Sequence, residues 1–105
     1  MDRITTLQSF VDKSPDQAFP RYGLAMEYKN QGRLTEALVV FAELVDRCPD
    51  YVATYLMYGN TLAETGEAGK AVKTYRRGIQ VARDAKDSHT VGEIETALAE
   101  ITSAT

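Results

Sequence analysis

The sequence resembles itself at an interval of 34 positions. A chain that carries one pattern twice at such spacing is restricted to folds built by stacking a single supersecondary unit. Phe10-Val11-Asp12-Lys13-Ser14-Pro15-Asp16 stands one interval ahead of Leu44-Val45-Asp46-Arg47-Cys48-Pro49-Asp50, and only the Ser14/Cys48 pair changes chemical type. The same offset joins Leu24 to Tyr58, Ala25 to Gly59, Gly32 to Gly66, Ala37 to Ala71 and Phe41 to Tyr75, so the period runs through a whole unit.

Within each unit the apolar spacing is helical. Leu24, Ala25 and Tyr28 fall at i, i+1 and i+4, and Ala37, Phe41, Leu44 and Val45 at i, i+4, i+7 and i+8, with no alternation of period two. Pro15 and Pro49 disfavour helical geometry at the residue before them, which places Asp16 and Asp50 to cap the next helix. Gly32 and Gly66 then sit between the two helices of their units, where glycine can take the positive φ that ends a helix. Pro20 is tolerated only in a first turn, so the first repeat helix begins near residues 17–19. These signals predict helices over about 2–13, 17–30, 34–47, 51–64, 68–84 and 88–102, with ends good to roughly two to four residues. Gly69 and Gly78 fall within the fifth, each costing about 0.5–1 kcal/mol relative to alanine in a helix interior, and Gly78 is expected to mark close packing. The last segment carries Val91, Ile94, Leu98 and Ile101 on one stripe, an amphipathic capping helix with Asp87 or Ser88 as its N-cap.

Composition narrows the function classes. Twelve Lys and Arg against 15 Asp and Glu, a formal charge of -3, argue against binding nucleic acid by phosphate neutralisation and against an anionic membrane surface. The start of the chain lacks the basic opening and apolar stretch of a signal peptide, and no apolar run approaches the roughly 18 residues a bilayer span needs. The one cysteine, Cys48, cannot close an internal disulfide and suits a reducing compartment. The expectation is a soluble, cytoplasmic protein.

With those residues in place, the sequence resembles small bacterial-type members of the tetratricopeptide-repeat family, whose pattern runs from an aromatic through Leu-Gly and Tyr to Ala, an aromatic and Pro. The first unit supplies Arg21, Leu24, Ala25, Tyr28, Ala37, Phe41 and Pro49 at those positions; the second supplies Tyr55, Tyr58, Gly59, Leu62, Ala71, Tyr75 and Arg83. The resemblance implies an all-α fold, a right-handed superhelical stack of antiparallel helix pairs in one domain over residues 1–105. Its parts would be an N-terminal cap helix over 2–16, repeats over 17–50 and 51–84, and a C-terminal capping helix over 85–105. Two departures stand out. Arg21 replaces the aromatic and is expected to lay its stem on the core edge with a wet guanidinium, and Arg83 replaces the closing proline, so the fifth helix can run on toward Asp84.

Catalysis finds little support. His89 and Cys48 fall in different units with no paired motif, and Glu93, Glu95 and Glu100 read as a solvated face rather than a metal site. We therefore expect no enzyme activity, no cofactor and no metal. Lys70, Lys73 and Arg77, with Arg76 beside them, form a basic stripe on the fifth helix, which reads as the wet side of an amphipathic element. The stronger candidate is a second apolar stripe, Phe19, Tyr22, Met26 and Lys29, on the helix whose first stripe is Leu24, Ala25 and Tyr28. By the resemblance, first helices of successive units line a concave groove, and the matching residues of the second unit are Ala53, Leu56, Asn60 and Ala63. The expected partner-binding residues are thus Phe19, Tyr22, Met26, Lys29, Leu56 and Asn60. They would hold an apolar peptide or helix of another protein, with Lys29 and Asn60 bonding its backbone or a terminal carboxylate. The alternative occupant is a second copy of the chain, burying the same stripe in a homo-oligomer. The carboxylate clamp of chaperone-tail relatives is largely missing, since Tyr22, Met26 and Met57 stand where lysine and asparagine would be required.

Overall fold

The computed structural model describes residues 2–103, and all regular structure among them is helical. The helices are α1 (Arg3–Lys13), α2 (Ala18–Asn30), α3 (Leu34–Arg47), α4 (Ala53–Glu64), α5 (Ala68–Asp84) and α6 (Ser88–Ser103). They match the six segments expected from the sequence to within two residues at every end. Met1, Ala104 and Thr105, which the expected domain includes, lie outside the described residues. The chain divides into two compact units, residues 1–49 and 50–105.

In the first unit α2 packs on both α1 and α3. Its core is Val11 from α1, Leu24 and Ala25 from α2, and Ala37, Val40, Phe41 and Leu44 from α3. In the second unit α4, α5 and α6 pack pairwise, around Tyr55, Leu62, Ala71, Tyr75, Ile79, Ala82 and Ile94. Two glycines set the spacing there. A Cβ on Gly59 would collide with the Tyr75 ring, and one on Gly78 would collide with the Tyr55 side chain and approach Ile94 Cδ1 to 3.0 Å. The close packing expected at Gly78 is present, and the aromatic rings take up the space that the two missing side chains leave.

The turns are built alike. After α2, Gly32 has φ 75°, its amide donates to the Lys29 carbonyl at 3.0 Å and the Arg33 amide to the Tyr28 carbonyl at 2.9 Å. After α4, Gly66 has φ 84°, with the matching bonds from Gly66 to Ala63 at 3.1 Å and from Glu67 to Leu62 at 2.9 Å. Paired bonds of this kind around a left-handed residue satisfy carbonyls that a helix end leaves open. Helix α5 repeats the device without glycine. Lys86 takes φ 59°, and Lys86 and Asp87 donate to the Arg83 and Ala82 carbonyls, each at 2.9 Å. This is how the second unit closes in the absence of a proline, with α5 running on to Asp84.

Three expectations about helix starts and the rim are corrected. Asp16 does not cap α2: the N-cap is Gln17, with no side-chain bond, because Asp16 is taken up in the turn closed by the Gln17 amide on the Ser14 carbonyl. Asp50 does not cap α4 either. Its N-cap is Val52, again without a side-chain bond, and the entry is tightened by bonds from Thr54 to Tyr51 and Tyr55 to Val52. Side-chain caps occur instead at Asp2, whose Oδ1 accepts from the Thr5 amide at 2.7 Å, and at Asp87, which resolves the two candidates for α6 by accepting from the Thr90 amide and hydroxyl at 3.1 and 2.7 Å. The guanidinium of Arg21 is not wet. The residue is 4% exposed, and Nη1 donates to the Pro15 carbonyl at 2.6 Å, so it ties the end of α1 to α2. Its carboxylate neighbour, Glu43, stands 3.8 Å from Nε and is half exposed.

Candidate functional site

Phe19, Tyr22, Met26 and Lys29 follow one another along α2 at steps of three, four and three, which keeps them on one side of the helix. Phe19 is 71% exposed, more than any other large apolar residue among those described, while Tyr22, Met26 and Lys29 are half-buried. Their helix commits its other side to the core through Leu24 and Ala25. Tyr28, beyond them, is covered by the Arg33 guanidinium, 4.9 Å from its ring centre. Arg33 is in turn held by Glu36 through bonds of 2.8 and 2.6 Å, which push its pKa up and lower that of Glu36. Phe10 on α1 and Val39 on α3 are also more than half exposed, and nothing in the sequence pattern marks either as a surface residue.

In the second unit, Leu56 and Asn60 lie one turn apart on α4, both half-buried. Asn60 lines an open cleft of about 380 Å³ within that unit. Ala63 and Glu64 join it from α4, Ala97, Glu100 and Ile101 from α6, and Tyr75 from α5 forms the floor. The Tyr75 hydroxyl donates to Asn60 Oδ1 at 2.6 Å. Burial pushes the Tyr75 phenol above its ordinary range, and the carboxylates of Glu100 and Glu64 push it further the same way. The cleft therefore carries a negative field over partly aliphatic walls.

Sequence reasoning finds Asn60 and Ala63 here and misses the others. Tyr75 reads only as core. Glu100 reads as solvated face because α6 looks like an end piece. The available signal is that Ala97 follows Ala63 by one repeat interval, so the face of α6 bearing Ala97 corresponds to the face of α4 bearing Ala63.

The remaining candidates are ordinary surface. His89 has an 86% exposed side chain, 3.5 Å from Glu93. Cys48 is half-buried and its thiol donates to the Asp16 carbonyl at 3.7 Å. Lys70, Lys73, Arg76 and Arg77 lie along α5, all exposed, with Lys70 paired to Glu67 at 3.1 Å and Arg77 lying 6.0 Å from the Tyr55 ring centre. Among the described residues no group of three His, Cys, Asp or Glu side chains is placed to hold a metal ion, and no helix is long and apolar enough to cross a membrane.

The family profile for the tetratricopeptide repeat matches residues 21–51 and 52–84. No curated protein matches the sequence. Among solved structures, the crystal structure of a tetratricopeptide repeat domain protein from Salinibacter ruber shares 32% identity over 85% of this chain and 99% of its own, with a TM-score of 0.81. A solution structure of a tetratricopeptide repeat domain protein from the same organism shares 34% identity over 84% and 89%, with a TM-score of 0.79. A solution structure of a Bordetella parapertussis protein is similar in fold alone, at 20% identity over 99% and 90% and a TM-score of 0.84. The glycine-ended helix pairs, the small residues beneath Tyr75 and Tyr55, and two matched repeats thus agree: the chain belongs to the tetratricopeptide-repeat family.

Proposed function

We propose that this chain is a binding module that takes a peptide or helix of another protein on the first helices of its units. Tetratricopeptide repeats are protein–protein interaction modules, and the observation that supports this reading here is the Phe19 side chain. A phenylalanine left 71% exposed, in register with Met26 two turns on, retains apolar area that a partner could remove from water, worth about 25 cal/mol per Å² covered. In the first unit the contact residues would be Phe19, Tyr22, Met26 and Lys29; in the second, Leu56 and Asn60. The terminal-carboxylate role for Asn60 is the least favoured part of this reading, because Glu64 and Glu100 border the same cleft and like charges repel. The mechanism is display of a preformed surface rather than bond-making.

The test combines light scattering over a concentration series with capture from the source cell, using wild type and a Phe19→Ala/Leu56→Ala variant. A monomer that captures a partner which the variant loses supports the proposal. A dimer that the substitutions dissociate would instead assign the surface to a second copy of this chain. Identical capture by both proteins would remove these residues from the site.

A further inference from the structure

The basic residues of α5 are ordinary in their exposure and unusual in their sign, and we infer that they form a docking surface for a carboxylate-rich segment of a partner protein, separate from the stripe on α2. The helix carries Lys70, Lys73, Arg76, Arg77 and Arg83 against one acid, Asp84, on a chain whose total charge is -3. An amphipathic helix requires a polar outer face, not a face of one sign. One repeat interval earlier, the positions of Lys70, Lys73, Arg76 and Arg77 hold Glu36, Val39, Ala42 and Glu43, and the residues of both sets are exposed. Neither the packing of a unit nor its solvation therefore calls for bases there. Their arrangement works against the helix. Lys73 stands three residues from Lys70 and from Arg76 and four from Arg77, spacings at which like charges repel, and Lys70 lies in the first turn, where the helix dipole disfavours a cation. A docked acidic segment would relieve both.

Only the ends of this charge are answered within the chain. Lys70 is 3.1 Å from Glu67, and Arg83 is 3.7 Å from Glu95. Between them Lys73, Arg76 and Arg77 have no carboxylate partner among the described residues. Four residues of helix rise about 6 Å, so the three cations fall within about one turn, a span that fits two or three neighbouring carboxylates, and each guanidinium can grip one through two parallel bonds. Other occupants fit less well. A nucleic-acid strand gains affinity with each phosphate neutralised, whereas along the helix this patch is bounded by Glu67 and Glu95. A helix that lies on a membrane presents large apolar residues beside its basic ones, whereas Tyr75 and Ile79 of α5 are buried. A second copy would bring carboxylates that are already engaged in its own first unit, since Glu27, Glu36 and Glu43 pair with Arg3, Arg33 and Arg21.

The experiment measures the fluorescence anisotropy of labelled decaglutamate and decaglutamine against the full chain, with ¹H–¹⁵N NMR spectra locating the contact. Decaglutamate is expected to bind, to shift the backbone amides of Lys73, Arg76 and Arg77 and to weaken with added salt, decaglutamine to do none of these, and Lys73→Gln/Arg76→Gln to raise the Kd at least about fivefold. Lys13→Gln/Arg47→Gln removes two exposed bases elsewhere; as the control for net charge it should raise the Kd less than about twofold. Glutamine matches lysine and arginine in helix propensity, so the α5 variant should fold with a thermal midpoint no lower than wild type. No binding, an equal loss in the two double variants, or a lower midpoint in Lys73→Gln/Arg76→Gln, which would give the bases a structural role, would each overturn the inference. Tighter binding of a deoxythymidine decamer or of phosphatidylserine vesicles than of decaglutamate would overturn it too, assigning the patch to nucleic acid or membrane. In light scattering, a dimer that Lys73→Gln/Arg76→Gln dissociates would assign it to a second copy. The surface on α2 and α4 is tested separately, because Phe19→Ala/Leu56→Ala should leave decaglutamate binding unchanged.

Discussion

Helical glycines carry two different meanings in this chain, and substitution by alanine separates them. At Gly92, in α6, a Cβ would have no neighbour within 4 Å, so Gly92→Ala is expected to stabilise the protein by about 0.5–1 kcal/mol through helix propensity alone. At Gly59 and Gly78 the added methyl would displace Tyr75 or Tyr55, and overpacking of that kind costs about 1–3 kcal/mol. The sign of the change therefore reverses between helical glycines, which urea unfolding of the three variants would show. Lys86 is the converse case: a side chain held at φ 59°, where a Cβ is unfavourable. Lys86→Gly is expected to gain about 0.5–1 kcal/mol after allowance for the freer unfolded chain, and a lower denaturant midpoint in the same measurement would contradict it. Arg21 shows how far a single position can depart from its family pattern. It keeps its place in the packing by finding a backbone carbonyl for its guanidinium, a partner that apolar periodicity alone does not reveal.

Elements are far more legible than their ends. Two proline-bounded runs and two glycines locate the helices, because those residues act through their own backbone restrictions. The caps of α2 and α4 escape a linear reading because a side-chain cap depends on the conformation of the preceding turn, and at Asp16 that turn draws the aspartate in. Where an aspartate does cap, its ionisation is tied to folding. Bonds from the Thr90 hydroxyl and amide hold the Asp87 carboxyl below its usual 3.8. A depressed folded-state pKa adds stability that is fully present above that usual value and is lost as pH falls through the lower, folded value. The thermal midpoint should accordingly drop below about pH 4, and Asp87→Asn, which can still accept from the Thr90 amide, should flatten that part of the profile. An unaltered acid limb in Asp87→Asn would show that the α6 cap is not its source. Asp2, whose carboxyl is lowered mainly by the Thr5 amide, contributes over the same range and in the same direction.

For the molecule taken whole, repetition makes the fold class readable, while the candidate surface is only half readable. Phe19, Tyr22, Met26 and Lys29 are visible as a stripe because one helix supplies them all. The cleft at Asn60 draws on three helices, α4, α5 and α6, and its charge comes from glutamates that look like plain solvated residues in sequence. The two surfaces also differ in kind, one aromatic and one acidic, on a chain whose net charge is only -3. A partner held through Phe19 and Met26 should change affinity by less than roughly twofold between about 0.05 and about 0.5 M NaCl, because apolar contact is not screened. One held through Glu64 and Glu100 should weaken markedly over that range, and a calorimetric salt series distinguishes them.

Tyr75 has a practical corollary. The chain has no tryptophan and six tyrosines, so its near-ultraviolet signal is dominated by phenols. One of those chromophores sits beneath the cleft with its hydroxyl tied to an amide oxygen. Any solute that disturbs this bond would write itself into the difference spectrum, giving the molecule an unlabelled optical gauge of its own occupancy.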